Sequence, residues 1–281
     1  MSEHRPALEH IQAYADHLRL EEKSAATVEK YLRDVRAFAR WLEGREITKE
    51  RTAAWKTHLV ERGYAPASVN AMLSALNSLL DFLGFGDCRV KFLKVQRRMF
   101  RDDSRDLTRS DYNALTAAAK AQNKTRLALL MEAICATGIR VNEVQYITVE
   151  AARAGRAEVA LKGKIRTILI PSKLCRKLLK YAKQQKTASG EIFLTRNGTP
   201  LSRRQIWAEM KGLCKTAGVA ASKVFPHNLR HLFAAAFYRA SRDIVKLADV
   251  LGHSSLETTR IYLLTSGAEH QRQLDRLGLV S

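Results

Sequence analysis

Residues 95–106 (VQRRMFRDDSRD) interrupt the chain with a run of charge that has no apolar period. Such a segment has nothing to bury, so it cannot be the middle of an element packed on a core. It divides 281 residues into two parts, each long enough to enclose its own interior. The stretch is read as an interdomain linker between residues 1–94 and 107–281, with arginines placed to touch a polyanion.

The part before the break has helical spacing throughout. Ser24 is placed to cap a helix whose Val28, Tyr31, Leu32, Val35, Phe38 and Leu42 share one face. Thr48 caps a second, with Trp55, Leu59 and Val60 inward. Pro66 opens a third, whose stripe Val69, Met72, Leu73, Leu76, Leu79, Leu80 and Leu83 ends at Gly84. With the segment around Leu8–Leu18 this predicts a bundle of four helices. Nearly all of these stripes are explained by core packing alone.

The part after the break is mixed. Thr108 caps a helix to about Ala121, and a second runs from Arg126 to Ala136, stopping near Gly138. AEVAL (157–161) and RTILI (166–170) read as short strands around the basic turn Lys162-Gly163-Lys164-Ile165, and IFLT (192–195) as a third. Residues 172–186, 203–216, 227–240, 243–251 and 255–263 read as helices. The fold class is mainly α with a small β-sheet: a helical bundle followed by an α+β domain.

Charge narrows the partners. Lys and Arg number 48 against 28 Asp and Glu, a net +20, which favours polyanions. Aromatic residues are only 7%, so no stacking platform for single strands is indicated. Cys88, Cys135, Cys175 and Cys214 are scattered without a CxxC pair, which argues against a disulfide scaffold or zinc ribbon and suits a reducing cytosol. Residues 1–20 lack a signal-peptide core and no apolar run has membrane-spanning length, so the expected place is the cytoplasm.

Four patches in the second part carry residues suited to phosphate chemistry. In Ala136-Thr137-Gly138-Ile139-Arg140-Val141-Asn142-Glu143, a glycine ends one helix, Arg140 opens the next, and Glu143 follows three residues later. A guanidinium held by a carboxylate is pre-oriented to fork a phosphate, although taken alone such a pair is more often a weak surface contact. Lys162 sits in the β-turn, where a lone lysine is usually just solvated. Pro226 starts a helix that puts His227 and Arg230 one turn apart at its positive end. His227 and His231 have metal-ligand spacing, but no HExxH glutamate or CxxC pair completes a site. No metal or cofactor is expected, and His231 is read as packing behind its neighbours.

The last patch runs from Leu251 to Tyr262. Gly252 closes one helix, and Ser254 with Glu257 is read as a capping box for the next. His253 then stands in a tight turn and Tyr262 about two turns along the new helix. A lone tyrosine on an amphipathic helix is core far more often than nucleophile; its company changes that reading.

These residues together resemble the tyrosine recombinases, or phage-integrase family. The family pattern is an Arg after a Thr-Gly turn, a Lys in a β-hairpin, His-x-x-Arg, a His (or Trp) after Leu-Gly, and a Tyr nine residues later. Arg140, Lys162, His227 with Arg230, His253 and Tyr262 stand in that order. The stretches SAATVEKYLRDVRAFARWL and YAPASVNAMLSALNSLLDFLG are similar to the family's core-binding domain, so the likeness spans nearly the whole chain. Here the hairpin reads LKGKIR, more compressed than the family's Gly-Lys-Gly, which leaves Lys164 as a rival to Lys162. No arm-binding domain is expected before residue 1, and the layout resembles the short Xer-like or simple-integrase type.

The resemblance implies the chemistry. Tyr262 attacks a phosphodiester to form a 3′-phosphotyrosyl bond and free a 5′-hydroxyl, and that bond conserves the energy for religation. Arg140 and Arg230 neutralise the developing charge, His227 takes the phenolic proton and Lys162 protonates the leaving oxygen. His253 hydrogen-bonds the phosphate, and Glu143 buttresses Arg140. Two basic domains would clamp duplex DNA, and exchange between two sites needs a homotetramer, with accessory DNA-bending or directionality proteins as further partners. The amphipathic tail Gln271–Ser281, with Leu274, Leu277, Leu279 and Val280, docks onto a neighbour or packs on its own domain. A type IB topoisomerase and a non-catalytic basic DNA-binding protein remain the alternatives; the bundle and compact length favour the recombinase.

Overall fold

The computed structural model describes residues 8–95, 103–161, 164–262, 271–272 and 275–277. It divides into two compact units, Met1–Arg97 and Arg98–Ser281, with the division inside the charged stretch 95–106. Residues 96–102 of that stretch lie outside the described residues.

The first unit holds four helices: α1 (Leu8–Leu20), α2 (Ala25–Leu42), α3 (Lys49–Glu61) and α4 (Pro66–Phe82). The hydroxyls of Ser24 and Thr48 accept the orphan N–H groups of Thr27 and Arg51, and Pro66 occupies the first turn of α4. The α4 stripe is buried against Phe38 and Leu42 of α2 and Trp55 and Leu59 of α3. Val60, expected inward, is 47% exposed, because α3 buries Thr52, Trp55 and Leu59 on one stripe and Val60 lies a step round the helix. Two amides in α4 do a strand's work. Asn77 donates to the Val90 carbonyl at 3.0 Å and accepts its N–H at 2.9 Å, and Asn70 does the same for Leu93 at 3.0 and 2.8 Å. The extended chain leaving the bundle thereby has its backbone groups paired.

The second unit opens with α5 (Arg109–Ala121) and α6 (Thr125–Thr137), then a 3₁₀ helix (Val141–Tyr146) and α7 (Val149–Ala154). The hairpin β1 (Arg156–Leu161) and β2 (Lys164–Leu169) follows, antiparallel, with Leu161 opposite Lys164 and Arg156 opposite Leu169. Then come α8 (Ser172–Gln184), α9 (Arg203–Lys211), α10 (Cys214–Ala217), α11 (Pro226–Ser241), α12 (Ile244–Leu251) and α13 (Leu256–Arg260). Thr108 and Asp111 close a capping box on α5. The core gathers round α6, where Leu127, Leu130, Met131 and Ile134 meet Leu115, Val159, Ile168, Leu178, Ile206 and Met210. A smaller cluster of Ala234, Leu247, Leu251 and Tyr262 joins α11, α12 and the end of the α13 segment.

The structure departs from the sequence reading in a few places. Residues 192–195 are no strand; only isolated pairings occur there, Thr148–Glu191 just before and Leu194–Pro200 within, and consecutive Ile192 and Phe193 are both buried, which no alternating strand allows. The expected helix 203–216 breaks into α9 and α10, and α7, capped by Thr148 and closed by Gly155, was not anticipated. Ser255, not Ser254, caps α13 by accepting the Glu257 N–H, and the helix ends at Arg260, so Tyr262 lies just past its end. In the tail, residues 273–274 and 278–281 lie outside the described residues, and Leu277 is 60% exposed. No described helix is long and apolar enough to cross a membrane.

Candidate active site

Five pieces of the second unit converge: the C-terminus of α6, the 3₁₀ helix after it, β2, the first turn of α11, and the α12–α13 turn. Each is set by a local signal. Gly138 ends α6 with φ +67° and Gly252 ends α12 with φ +63°, both in the left-handed region that glycine tolerates. Pro226 in the first turn of α11 delivers His227 and Arg230 one turn apart.

Arg230 is the hub. It is only 3% exposed, yet every guanidinium nitrogen has a partner. Nη1 donates to the Gly138 carbonyl, and Nη2 donates to the Leu251 carbonyl and to His253 Nε2, both at 2.9 Å. Nε points at the Tyr262 hydroxyl oxygen, 3.4 Å away. One side chain thus ties the ends of α6 and α12 to the tyrosine.

His253 is fixed from both sides. Its Nδ1 lies 2.8 Å from Thr259 Oγ1 while Nε2 faces Arg230. Arginine has only donors, so Nε2 must accept and Nδ1 carries the hydrogen given to Thr259. Burial, then repulsion from Arg230, Arg140, Arg166 and His227, pushes its pKa down to about 4. The ring stacks on Tyr262 with centroids 5.8 Å apart.

Arg140 and Glu143 pair as the sequence suggests. Glu143, 2% exposed, takes Arg140 Nη1 on Oε1 at 2.9 Å and the Arg140 N–H on Oε2 at 2.7 Å. Burial works to raise this carboxyl, but the Arg140 N–H and two guanidiniums outweigh it and hold it below the usual carboxylate range. Arg140 stays 43% exposed, with Nη2 3.4 Å from the Gly252 carbonyl.

His227 and His231 pair with each other. Their Nε2 atoms are 3.1 Å apart, and the His231 ring sits edge-on to Tyr262 at 4.4 Å between centroids. His227 is further, at 6.1 Å. Burial, then Arg230 and Arg140, lowers the His227 pKa below the ordinary imidazole value, leaving it neutral near pH 7 and able to accept a proton. Tyr262 itself is 4% exposed, packed with Ala234, Leu247 and Leu251.

Arg140, His227, Arg230, His253 and Tyr262 are therefore one cluster, with Glu143 and His231 against it. Lys162 lies outside the described residues, as does the side chain of Lys164. Two members escaped the sequence reading. Arg166 on β2 donates from Nη2 to Glu143 Oε2 at 2.5 Å and from Nη1 to the Val250 carbonyl at 3.3 Å. A signal existed: Arg166 shares strand parity with buried Ile168 and Ile170, an odd place for a charge. Thr259, fully buried, carries no comparable sequence mark.

Comparison with known proteins places the chain in a family. Residues 105–268 match the Phage integrase family, and residues 11–84 match the phage integrase N-terminal SAM-like domain. Tyrosine recombinase XerA of Thermococcus kodakarensis is 29% identical, the alignment covering 97% of this chain and 95% of the relative. Tyrosine recombinase XerD of Brucella suis biovar 1 is 31% identical, over 86% and 88%. Among solved structures, a lambda integrase tetramer bound to a Holliday junction superposes with a TM-score of 0.72 at 21% identity, covering 90% of this chain and 76% of that one. The chain belongs to the phage integrase family, the tyrosine recombinases. Its activity is site-specific DNA recombination.

Proposed function

We propose that this recombinase cleaves and rejoins duplex DNA through a 3′-phosphotyrosyl bond at Tyr262, with Arg140 and Arg230 stabilising the charge that develops on the phosphate. The observation that carries the reading is the Arg230–Tyr262 contact at 3.4 Å, inside a cluster that also holds Arg140, His227 and His253. A phosphodiester repels nucleophiles, so fixed positive groups beside a hydroxyl are what strand cleavage requires.

In this reading His227, neutral near pH 7, accepts the Tyr262 proton, and His231 orients it through the Nε2 contact. Glu143 holds Arg140. Lys162 protonates the departing 5′-oxygen, with Lys164 as the rival for that role. Both ring nitrogens of His253 are engaged within the protein, so it can donate to the phosphate only once it has left Arg230 and its Nε2 has gained a hydrogen; until then it orients that guanidinium. Because Tyr262 is 4% exposed, in-line attack needs an opened form of the 256–262 segment. The two arginines and the lysine supply the positive charge that a metal brings elsewhere, so no metal or cofactor is assigned.

Residues 1–94 form the DNA-binding unit, 95–106 the linker and 107–281 the catalytic unit. A net charge of +20 supplies phosphate contacts, so binding weakens steeply with salt. Exchange between two duplexes calls for four copies, and the tail from residue 271 is the segment offered to a neighbour. Accessory DNA-bending or directionality proteins and a cytoplasmic location complete the proposal.

The test is a nicked duplex substrate drawn from DNA flanking the protein's own gene. Wild-type protein is expected to become covalently trapped, whereas Tyr262→Phe binds with nearly the same affinity and is not trapped. Equal loss of binding and trapping would support a mere DNA-binding protein. Relaxation of supercoils without joined products from two sites would support a topoisomerase.

A further inference from the structure

Arg166 closes the LKGKIR hairpin stretch but is none of the motif residues assigned a catalytic role, yet it touches three parts of the cluster. Its Nη2 is 2.5 Å from Glu143 Oε2, its Nη1 is 3.3 Å from the Val250 carbonyl, and its stem lies against Gly252. A Cβ added to Gly252 would stand 2.4 Å from Arg166 Cδ and 2.9 Å from Nη1. The glycine before His253 is therefore needed for space as well as for its backbone angle.

We propose that Arg166 is a positioning residue for strand cleavage: by occupying one oxygen of Glu143, it keeps the outer edge of Arg140 open to the scissile phosphate. The inference rests on the role given above to Arg140. Left to themselves, a carboxylate and a guanidinium close into two parallel hydrogen bonds, which would turn both of Arg140's terminal nitrogens inward. Here Oε2 is already shared by Arg166 Nη2 and the Arg140 N–H, so Arg140 is held through Nη1 alone. Its side chain remains 43% exposed, with Nη2 only loosely directed at the Gly252 carbonyl at 3.4 Å. One carboxylate between two guanidiniums also leaves a surplus positive charge facing the site.

Packing does not explain why an arginine stands here. Its Nε is a buried nitrogen with no hydrogen-bond partner among the described residues, an arrangement that works against stability. An apolar side chain would fill the same space without that cost. What only the guanidinium supplies is the two-ended tether from Glu143 to the Val250 carbonyl, joining β2, the 3₁₀ helix and the turn before His253.

The experiment compares wild type, Arg166→Gln and Arg166→Lys on a duplex that wild type cleaves, made with either a normal scissile phosphate or a methylphosphonate there. The methylphosphonate lacks the charge that Arg140 neutralises. Arg166→Gln is expected to slow covalent trapping about 100-fold on the phosphodiester, the scale set by a misplaced catalytic group. DNA affinity should hold, and the deficit should shrink towards nothing on the methylphosphonate. Arg166→Lys keeps the charge but cannot reach both acceptors with one ammonium, so it should show the same pattern and serves if the glutamine variant does not fold. An equal deficit on both substrates, or no deficit, overturns the inference while leaving the role of Tyr262 intact. Failure of wild-type protein to become trapped overturns both.

Discussion

Arg230 Nε stands 3.4 Å from the hydroxyl oxygen of Tyr262, thirty-two positions along the chain, with both side chains almost wholly buried. The same guanidinium donates to the carbonyls that end α6 and α12, so the tyrosine's partner is fixed by two helix termini rather than by its own helix alone. Carbonyls at helix C-termini lack intrahelical donors and carry partial negative charge. A buried cation there satisfies both.

Arg230→Lys is accordingly expected to fail structurally as well as catalytically. A single ammonium cannot serve the Gly138 and Leu251 carbonyls, His253 and Tyr262 together, so buried acceptors lose their donors. The cost should be about 1–3 kcal/mol, read from the urea midpoint, together with loss of covalent trapping. An unchanged midpoint would show that the carbonyl contacts contribute little.

His253 predicts a pH dependence of stability. Its pKa falls from 6.5 to about 4 on folding, so between those values the unfolded chain takes up a proton that the folded one refuses. The stabilisation is therefore complete above pH 6.5 and drains away as the pH falls towards 4. His227 shifts in the same direction and adds to the slope. Glu143, held below the usual carboxylate range, loses its contribution only at lower pH. In urea titrations across this interval, His253→Gln should give a shallower dependence than wild type. Parallel curves would contradict the tautomer and contacts assigned to this ring.

What the sequence made legible was local. Caps at Ser24, Thr48 and Thr108 and stops at Gly138 and Gly252 depend on a few neighbouring residues, and they appear where the spacing places them. The cluster of Arg140, His227, Arg230, His253 and Tyr262 was legible only because the motifs occur together. Each alone describes a surface pair, a helix start or a core tyrosine. Adjacent serines at 254 and 255 can both cap a helix, and the turn leaving Gly252 decides for the second. Arg166 was the harder miss. Its partner Glu143 is twenty-three residues away, and only the fold of β1 and β2 brings them together.

Glycine at the two helix ends offers a sharper separation of backbone from packing effects. Gly138, Gly155, Gly218 and Gly252 all close helices with φ between +63° and +69°. Alanine at any of them therefore incurs the same left-handed strain, roughly 1–2 kcal/mol. At Gly155 and Gly218 an added Cβ meets nothing within 4 Å, so strain should be the whole effect. At Gly138 it would lie 2.3 Å from Phe233 Cδ1, and at Gly252 2.4 Å from Arg166 Cδ. Neither neighbour can yield cheaply: Phe233 packs with Phe237 on α11, and Arg166 is held at both ends. Overpacking should add about 1–3 kcal/mol at these two positions. Four alanine variants compared by urea midpoint should thus fall into two pairs. Trapping on DNA should suffer most in Gly252→Ala, where the displaced side chain also releases Glu143. Equal midpoints in all four would mean that the site relaxes around the methyl groups, and that the close approach of Arg166 to the His253 turn adds no overpacking cost.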